Sequence, residues 1–418
     1  MNDSAATRRP EQTSQDRHLR VLAWLLLLLV AVHFGSSLLL RPPRAERLRL
    51  AAFRDAMGAI GDLYVEEVDR DTLYQGAMRG MVAALSDRYS AYLTPEQRAR
   101  LNEDTEGKYA GIGIMLFPAD GRAIVEDVFP DGPAAAAGLQ AGDSIVRIDG
   151  RPVADLRPDQ ILDMIRGRVG TSVELTLVRP PQDEPLALTL TRDNIAVPSV
   201  KSEVLADNVG LLRITSFSQS SAAGTRAALE DLQKRGIVGL VLDLRGNAGG
   251  LVGQATAVCD MFVESGLLLA QEGRGGRREP NVLATPGTVL PGVVPVVVLV
   301  DEGTASAAEI VAGALQAHGR ATVVGTGTVG KGAVNTVIRL PDGAGLVLTV
   351  TRYMLAGGRA VDGVGITPDV LVGEMPALPE GLEAAQVRAW VIEHRKSARE
   401  AQMRKALEVI GAKAAEQR

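Results

Sequence analysis

Val298-Leu-Val-Asp-Glu-Gly-Thr-Ala-Ser-Ala-Ala-Glu-Ile-Val-Ala-Gly-Ala-Leu315 leads from an apolar run through a short turn into a helical pattern. The unit recurs. Strands are expected at Val209–Thr215, Gly239–Leu244, Val294–Val300, Ala321–Val324, Val334–Leu340 and Leu346–Thr351. Helices are expected at Ser221–Arg235, Leu251–Val263 and Ala305–Ala317, and such strand–helix alternation predicts an α/β layered core over residues 196–376.

Upstream the pattern changes. Between 107 and 195, short runs at Gly111–Leu116, Arg122–Val128, Asp143–Ile148 and Ser172–Val178 are separated by Gly, Pro and Asp turns, with one helix from Arg157 to Ile165. This is a small β-rich domain. Residues 44–106 read as helical, and Thr94-Pro-Glu-Gln starts a helix with a cap and a first-turn proline. Residues 1–20 form an N-terminal tail. Residues 377–418 form a mixed-charge helical tail, expected to be solvated or to pack a second subunit, so a homo-oligomer through the terminal helices is possible.

Val21 to Leu40 is an uncharged run of twenty residues, long enough to cross a bilayer as a helix. No Ala-x-Ala cleavage site follows, which favours an uncleaved anchor over a signal peptide. Arg8, Arg9, Arg17 and Arg20 precede the run and Arg41, Arg44, Arg47 and Arg49 follow it, so charge leaves the orientation open. The formal charge of −5 gives no electrostatic reason to expect nucleic-acid binding. One cysteine, Cys259, excludes an internal disulfide framework.

Ser306, at the turn-to-helix junction, has the setting of a nucleophile. Of the four histidines only His318 lies in the α/β core. It is twelve residues further along the same helix, roughly 18 Å away at 1.5 Å per residue. The base must therefore be another group. Lys331, in Val329-Gly-Lys-Gly-Ala-Val-Asn335, is the candidate, because a neutral amine can take a hydroxyl proton. Holding a lysine neutral near pH 7, against an ordinary pKa of about 10.4, costs near 4 kcal/mol. Desolvation can supply that shift if no carboxylate holds the proton, and Ile310 through Pro341 contain no Asp or Glu. Lysine is also scarce, with seven against thirty-eight arginines. Asn335 could orient the amine. Gly239-Leu-Val-Leu-Asp-Leu-Arg-Gly-Asn-Ala-Gly-Gly250 runs a buried strand into a glycine turn, so Gly249 or Gly250 could pair with the Ala307 amide as an oxyanion site. Gly325-Thr-Gly-Thr-Val-Gly-Lys331 imitates a phosphate loop, but Gly332 stands where Ser or Thr must bind magnesium, and a strand pattern follows.

Taken together, these segments resemble the carboxyl-terminal processing peptidases, or tail-specific proteases. The resemblance spans most of residues 45–375. It rests on Ser86-Asp-Arg-Tyr-Ser-Ala-Tyr-Leu93, Gly111-Ile-Gly-Ile, Pro133-Ala-Ala-Ala-Ala-Gly-Leu-Gln-Ala-Gly-Asp143, Asp243-Leu-Arg-Gly-Asn-Ala-Gly-Gly, Gly303-Thr-Ala-Ser-Ala-Ala-Glu-Ile, Gly330-Lys-Gly and Gly363-Val-Gly-Ile-Thr-Pro-Asp369. It implies a PDZ domain at 107–195 inserted ahead of a crotonase-like protease core, with a Ser306–Lys331 dyad. Asn335 takes the place of the family's glutamine, one methylene shorter. Asp301 and Ala308 stand where the family commonly has Asn and Ser. Gly111, Ile112, Gly113 and Ile114 fall where PDZ loops capture a peptide carboxylate, and Arg166 falls where the family couples peptide binding to the active site. The implied protein is a serine endopeptidase that recognises C-terminal tails of protein substrates, without metal or organic cofactor. It would be a single-pass inner-membrane protein with its protease periplasmic or extracellular. The rival readings are a catalytically impaired PDZ scaffold and, less favoured, a crotonase-type acyl-CoA enzyme.

Overall fold

The structure is a computed structural model that describes residues 43–119, 122–182, 184–379, 381 and 383–416. The hydrophobic segment 21–40 lies outside these residues. Among the described residues no helix is long and apolar enough to cross a membrane. The chain divides into two compact units at Gly80. In the first, a helix over Arg44–Leu63 buries none of its residues, and a second helix, Arg70–Ala83, begins.

The second unit is built on a six-stranded sheet in the order Val200–Val204, Val209–Ile214, Gly239–Asp243, Val296–Val300, Ala321–Gly325 and Val370–Leu371. The first pair is antiparallel and the others are parallel. Gly239–Asp243 and Val296–Val300 are buried at every position, as strands covered on both faces must be. One face packs on the helices Ser221–Lys234, Val252–Asp260 and Ala307–Ala317 through Leu240, Leu242, Val298 and Ile310. The other face, with Val241, Val297, Leu299 and Val324, is covered by Ala406 and Ile410 of the long C-terminal helix Ala384–Glu416. That helix is thus part of the core, which corrects the expectation of a solvated tail. Gly239 makes the close approach possible, since a Cβ there would lie 2.3 Å from Ile410 Cγ2.

A second sheet is organised around Gly345–Leu355, which pairs with Ala333–Arg339, Gly266–Gly273 and Ala91–Leu93. The β-rich domain has its own core, with Ile112, Val125, Ile145, Leu175 and Ile161. Its strands include Pro185–Thr191, which the sequence reading passed over, and its helix is Pro158–Ile165. Gly111 ends a separate strand, Lys108–Gly111, paired with Asp193–Ala196, so the expected strand over Gly111–Leu116 is broken at Ile112–Gly113.

Gly325 ends a core strand at φ +140, and a Cβ on it would lie 1.9 Å from the Val300 carbonyl oxygen. Gly325→Ala is therefore expected to cost roughly 2–4 kcal/mol, read as a lowered urea midpoint at unchanged m-value.

Candidate active site

Three adjacent parallel strands, Gly239–Asp243, Val296–Val300 and Ala321–Gly325, end on the same side of the sheet. In open α/β sheets, sites form beyond the carboxyl ends of the strands. The loops that follow carry Gly249 and Gly250, Ser306, and Lys331 respectively. The topology therefore delivers all three expected elements to one edge.

Ser306 is 8% exposed and caps the helix Ala307–Ala317 at φ 53 and ψ −116, a conformation strained for a non-glycine residue. Its N–H donates to Glu309 Oε2 at 2.7 Å. The same oxygen accepts the Lys331 N–H at 2.9 Å, while Glu309 Oε1 accepts the Gly330 N–H at 2.7 Å and the Thr328 hydroxyl. One fully buried carboxylate thus pins both loops. The two backbone nitrogens lie within two hydrogen-bond lengths of each other. On the carbonyl side, the Tyr353 hydroxyl lies 3.0 Å from the Ser306 oxygen and 2.9 Å from the Lys331 oxygen, within donating reach of both. Burial pushes the Tyr353 phenol far up, so it stays protonated and donates. Sequence reasoning missed Glu309, although Ser306-x-x-Glu309 is the capping-box signature, in which the third helical residue reaches back to the cap N–H.

Lys331 is half-buried. Desolvation lowers its pKa, against an opposing pull from the Asp87 charge. Its Nζ lies 5.2 Å from the Tyr89 ring centroid, a contact that favours the cation. The Asp87 carboxylate accepts the Ser90 hydroxyl at 2.5 Å and the Tyr89 N–H at 3.1 Å, which sets the Ser86–Leu93 stretch beside the amine. Among the described residues Asn335 makes no hydrogen bond to the amine. Its Nδ2 donates to the Tyr89 carbonyl at 2.8 Å, and its buried Oδ1 has no hydrogen-bond partner. The expected direct bond to Lys331 is thus replaced by one from the amide nitrogen to the Tyr89 backbone. Gly363–Ile366 floors the lysine loop, where a Cβ on Gly330 would lie 2.9 Å from the Gly365 nitrogen. His318 instead bonds the Leu267 carbonyl at 2.8 Å at the far end of the helix. Lys331 leads into the strand Ala333–Arg339, which no phosphate loop does.

In the glycine turn, the Gly249 N–H donates to Asn247 Oδ1 at 2.8 Å and is already engaged, which corrects its assignment as an oxyanion donor. Among the described residues, the N–H groups of Gly250 and Ala307 donate no hydrogen bond. Gly249 instead permits close approach: a Cβ there would lie 2.8 Å from Ser306 Cβ. Asn247, fully buried, ties its turn to Ile214 at 2.9 Å and to the Ala305 N–H at 2.9 Å.

In the β-rich domain, a groove runs between Ile114–Leu116 and the helix end at Leu162, Ile165 and Arg166. At its head the Tyr109 ring lies on Gly111, and burial pushes its phenol pKa up against the opposing pull of the nearby Ile114 and Gly113 backbone. The Arg166 guanidinium sits 5.0 Å from the Tyr109 ring centroid and 3.7 Å from Glu103. Ile112 is fully buried, and its carbonyl accepts the Ala134 N–H at 2.8 Å. Of the four expected peptide-binding residues, Ile114 lines the groove and Gly111, Ile112 and Gly113 do not.

Three stretches match known family models: residues 42–97 the N-terminal domain of the activating protease CtpB, residues 124–179 a PDZ domain, and residues 208–372 peptidase family S41. The carboxy-terminal-processing protease of Bartonella bacilliformis is 38% identical over 338 residues, covering 79% of this chain and 76% of that one. The carboxy-terminal processing protease CtpA of Bacillus subtilis is 36% identical over 308 residues, covering 73% of this chain and 65% of that one. Among solved structures, the photosystem II D1 C-terminal processing protease is 31% identical at a TM-score of 0.47, covering 77% of this chain and 92% of that chain. Fold and matches together define a serine-type peptidase that carries a PDZ domain. The chain belongs to peptidase family S41, among the carboxy-terminal processing proteases.

Glu309→Gln keeps the size but removes the charge and turns an NH₂ toward N–H donors. It is expected to destabilise the fold by about 2–4 kcal/mol in chemical denaturation and to lower kcat about a hundredfold.

Proposed function

We propose that Ser306 is the nucleophile and Lys331 the general base of a C-terminal processing endopeptidase acting on protein substrates. The observation that carries this is the single Glu309 carboxylate bonded to the backbone of both residues. With the amine neutral, the Ser306 hydroxyl proton passes to Lys331 Nζ as the oxygen attacks the scissile carbonyl. The N–H groups of Gly250 and Ala307 stabilise the resulting oxyanion. Lys331 then returns the proton to the leaving amine, and water resolves the acyl-enzyme by the reverse path. Asn335 acts one step removed, holding the Tyr89 carbonyl so that the ring flanks the amine.

The groove beside Ile114 receives the substrate's C-terminal carboxylate. Arg166, stacked on the Tyr109 ring that lines the same groove, senses its arrival. Residues 21–40 anchor the chain in the inner membrane, with the protease on the periplasmic or outer side; alkaline extraction of membranes and protease protection of spheroplasts test this. A scaffold reading draws support from Asn335, whose amide makes no hydrogen bond to Lys331 among the described residues.

Cleavage of a tagged disordered substrate decides between them: wild type turns over, while Ser306→Ala, Lys331→Ala and Lys331→Arg do not, since a guanidinium stays charged. Equal turnover by wild type and Ser306→Ala leaves only the scaffold. Because the neutral amine is the active form, kcat/KM should rise with pH through a pKa below the ordinary lysine value of 10.5. The Asp87 charge holds that pKa up, so Asp87→Asn should move the rising limb to lower pH.

A further inference from the structure

The residues matched to peptidase family S41 end at 372, and the helix Ala384–Glu416 follows. Three of its side chains nevertheless reach the catalytic edge. Asp301 Oδ1 accepts the Gly246 N–H at 2.7 Å and the Gly303 N–H at 3.0 Å, joining the root of the glycine turn to the loop that carries Ser306. Its other oxygen, Oδ2, lies 3.6 Å from Arg399 Nη2. The neighbouring Glu302 lies 3.8 Å from Arg395. From the turn side, Arg245 Nη1 donates to the Arg399 carbonyl at 2.8 Å and to Gln402 Oε1 at 3.2 Å, while its Nε and Nη2 grip Asp243 at 2.8 Å each. Asp243, Arg245 and Gln402 are all buried. About two helical turns, Arg395 to Gln402, therefore hold the glycine turn and the nucleophile loop in register.

We infer that Arg399 and its partner Asp301 are positioning residues for the peptidase reaction, and that the C-terminal helix braces the oxyanion turn against the nucleophile loop. The inference rests on Ser306 and Gly250 having the roles proposed above. Asparagine at 301 could still accept the two N–H groups but would give the guanidinium no charge to face. The acid at this position gives the helix a charged contact with the nucleophile loop, beside the Arg245 bonds to the glycine turn.

The test uses the full chain with the tagged disordered substrate, and hydrogen exchange of the segment Arg245–Leu251. Arg399→Ala should lower kcat about tenfold with KM within about twofold, and Arg399→Lys should recover part of it. In the Asp301→Asn background, Arg399→Ala should cost less than about twofold, the signature of coupling. Exchange across Arg245–Leu251 should rise in Arg399→Ala while Leu240–Leu242 stay protected, which separates loosened register from unfolding. Unchanged kcat, additive effects of the two substitutions, or unchanged exchange in that segment would overturn the inference. If wild type and Ser306→Ala turn over equally, the dyad reading fails on its own, and the exchange comparison still decides whether the helix restrains the turn.

Discussion

A single buried carboxylate organises this molecule's chemistry. Glu309 is fully enclosed, and all its donors come from two loops that leave different strands. Burying an ion without partners costs several kcal/mol, so the carboxylate is stable only when both loops are in place. The converse also holds: the Ser306 and Lys331 backbones are fixed relative to each other because each must satisfy the same acid. Three of the donors are backbone amides and the fourth is the Thr328 hydroxyl, so both oxygens are engaged without the Lys331 amine.

Around this contact the fold supplies two further restraints. Tyr353, from the neighbouring sheet, holds the carbonyls of the same two residues. Asn247 and Asp301 secure the glycine turn to the loop before the serine.

Most of the fold was legible because fully buried parallel strands write themselves as unbroken Val/Leu/Ile runs, as at Val296–Val300. Arg122–Val128 and Ser172–Val178 ran where alternation placed them. Polar, partly exposed strands such as Val200–Val204 left no such trace. The serine and lysine were visible through the glycines around them. Their supports were not, since Glu309 and Tyr353 lie close only after the sheets pack. The tail helix misled for a related reason: its mixed charges suggested solvent, whereas Arg399 and Gln402 point at the site and Ile410 at the core. Asn335 and Gly249 were placed in the right neighbourhood but given the wrong partners, because a one-dimensional reading cannot tell which of several nearby acceptors a donor will choose.

The left-handed backbone of Ser306 sets a trade between durability and chemistry. A side chain held at φ 53 stores on the order of 1–3 kcal/mol that a residue lacking Cβ would not. Replacing the serine with glycine would relax that tension, leaving a protein that resists unfolding better than its working form.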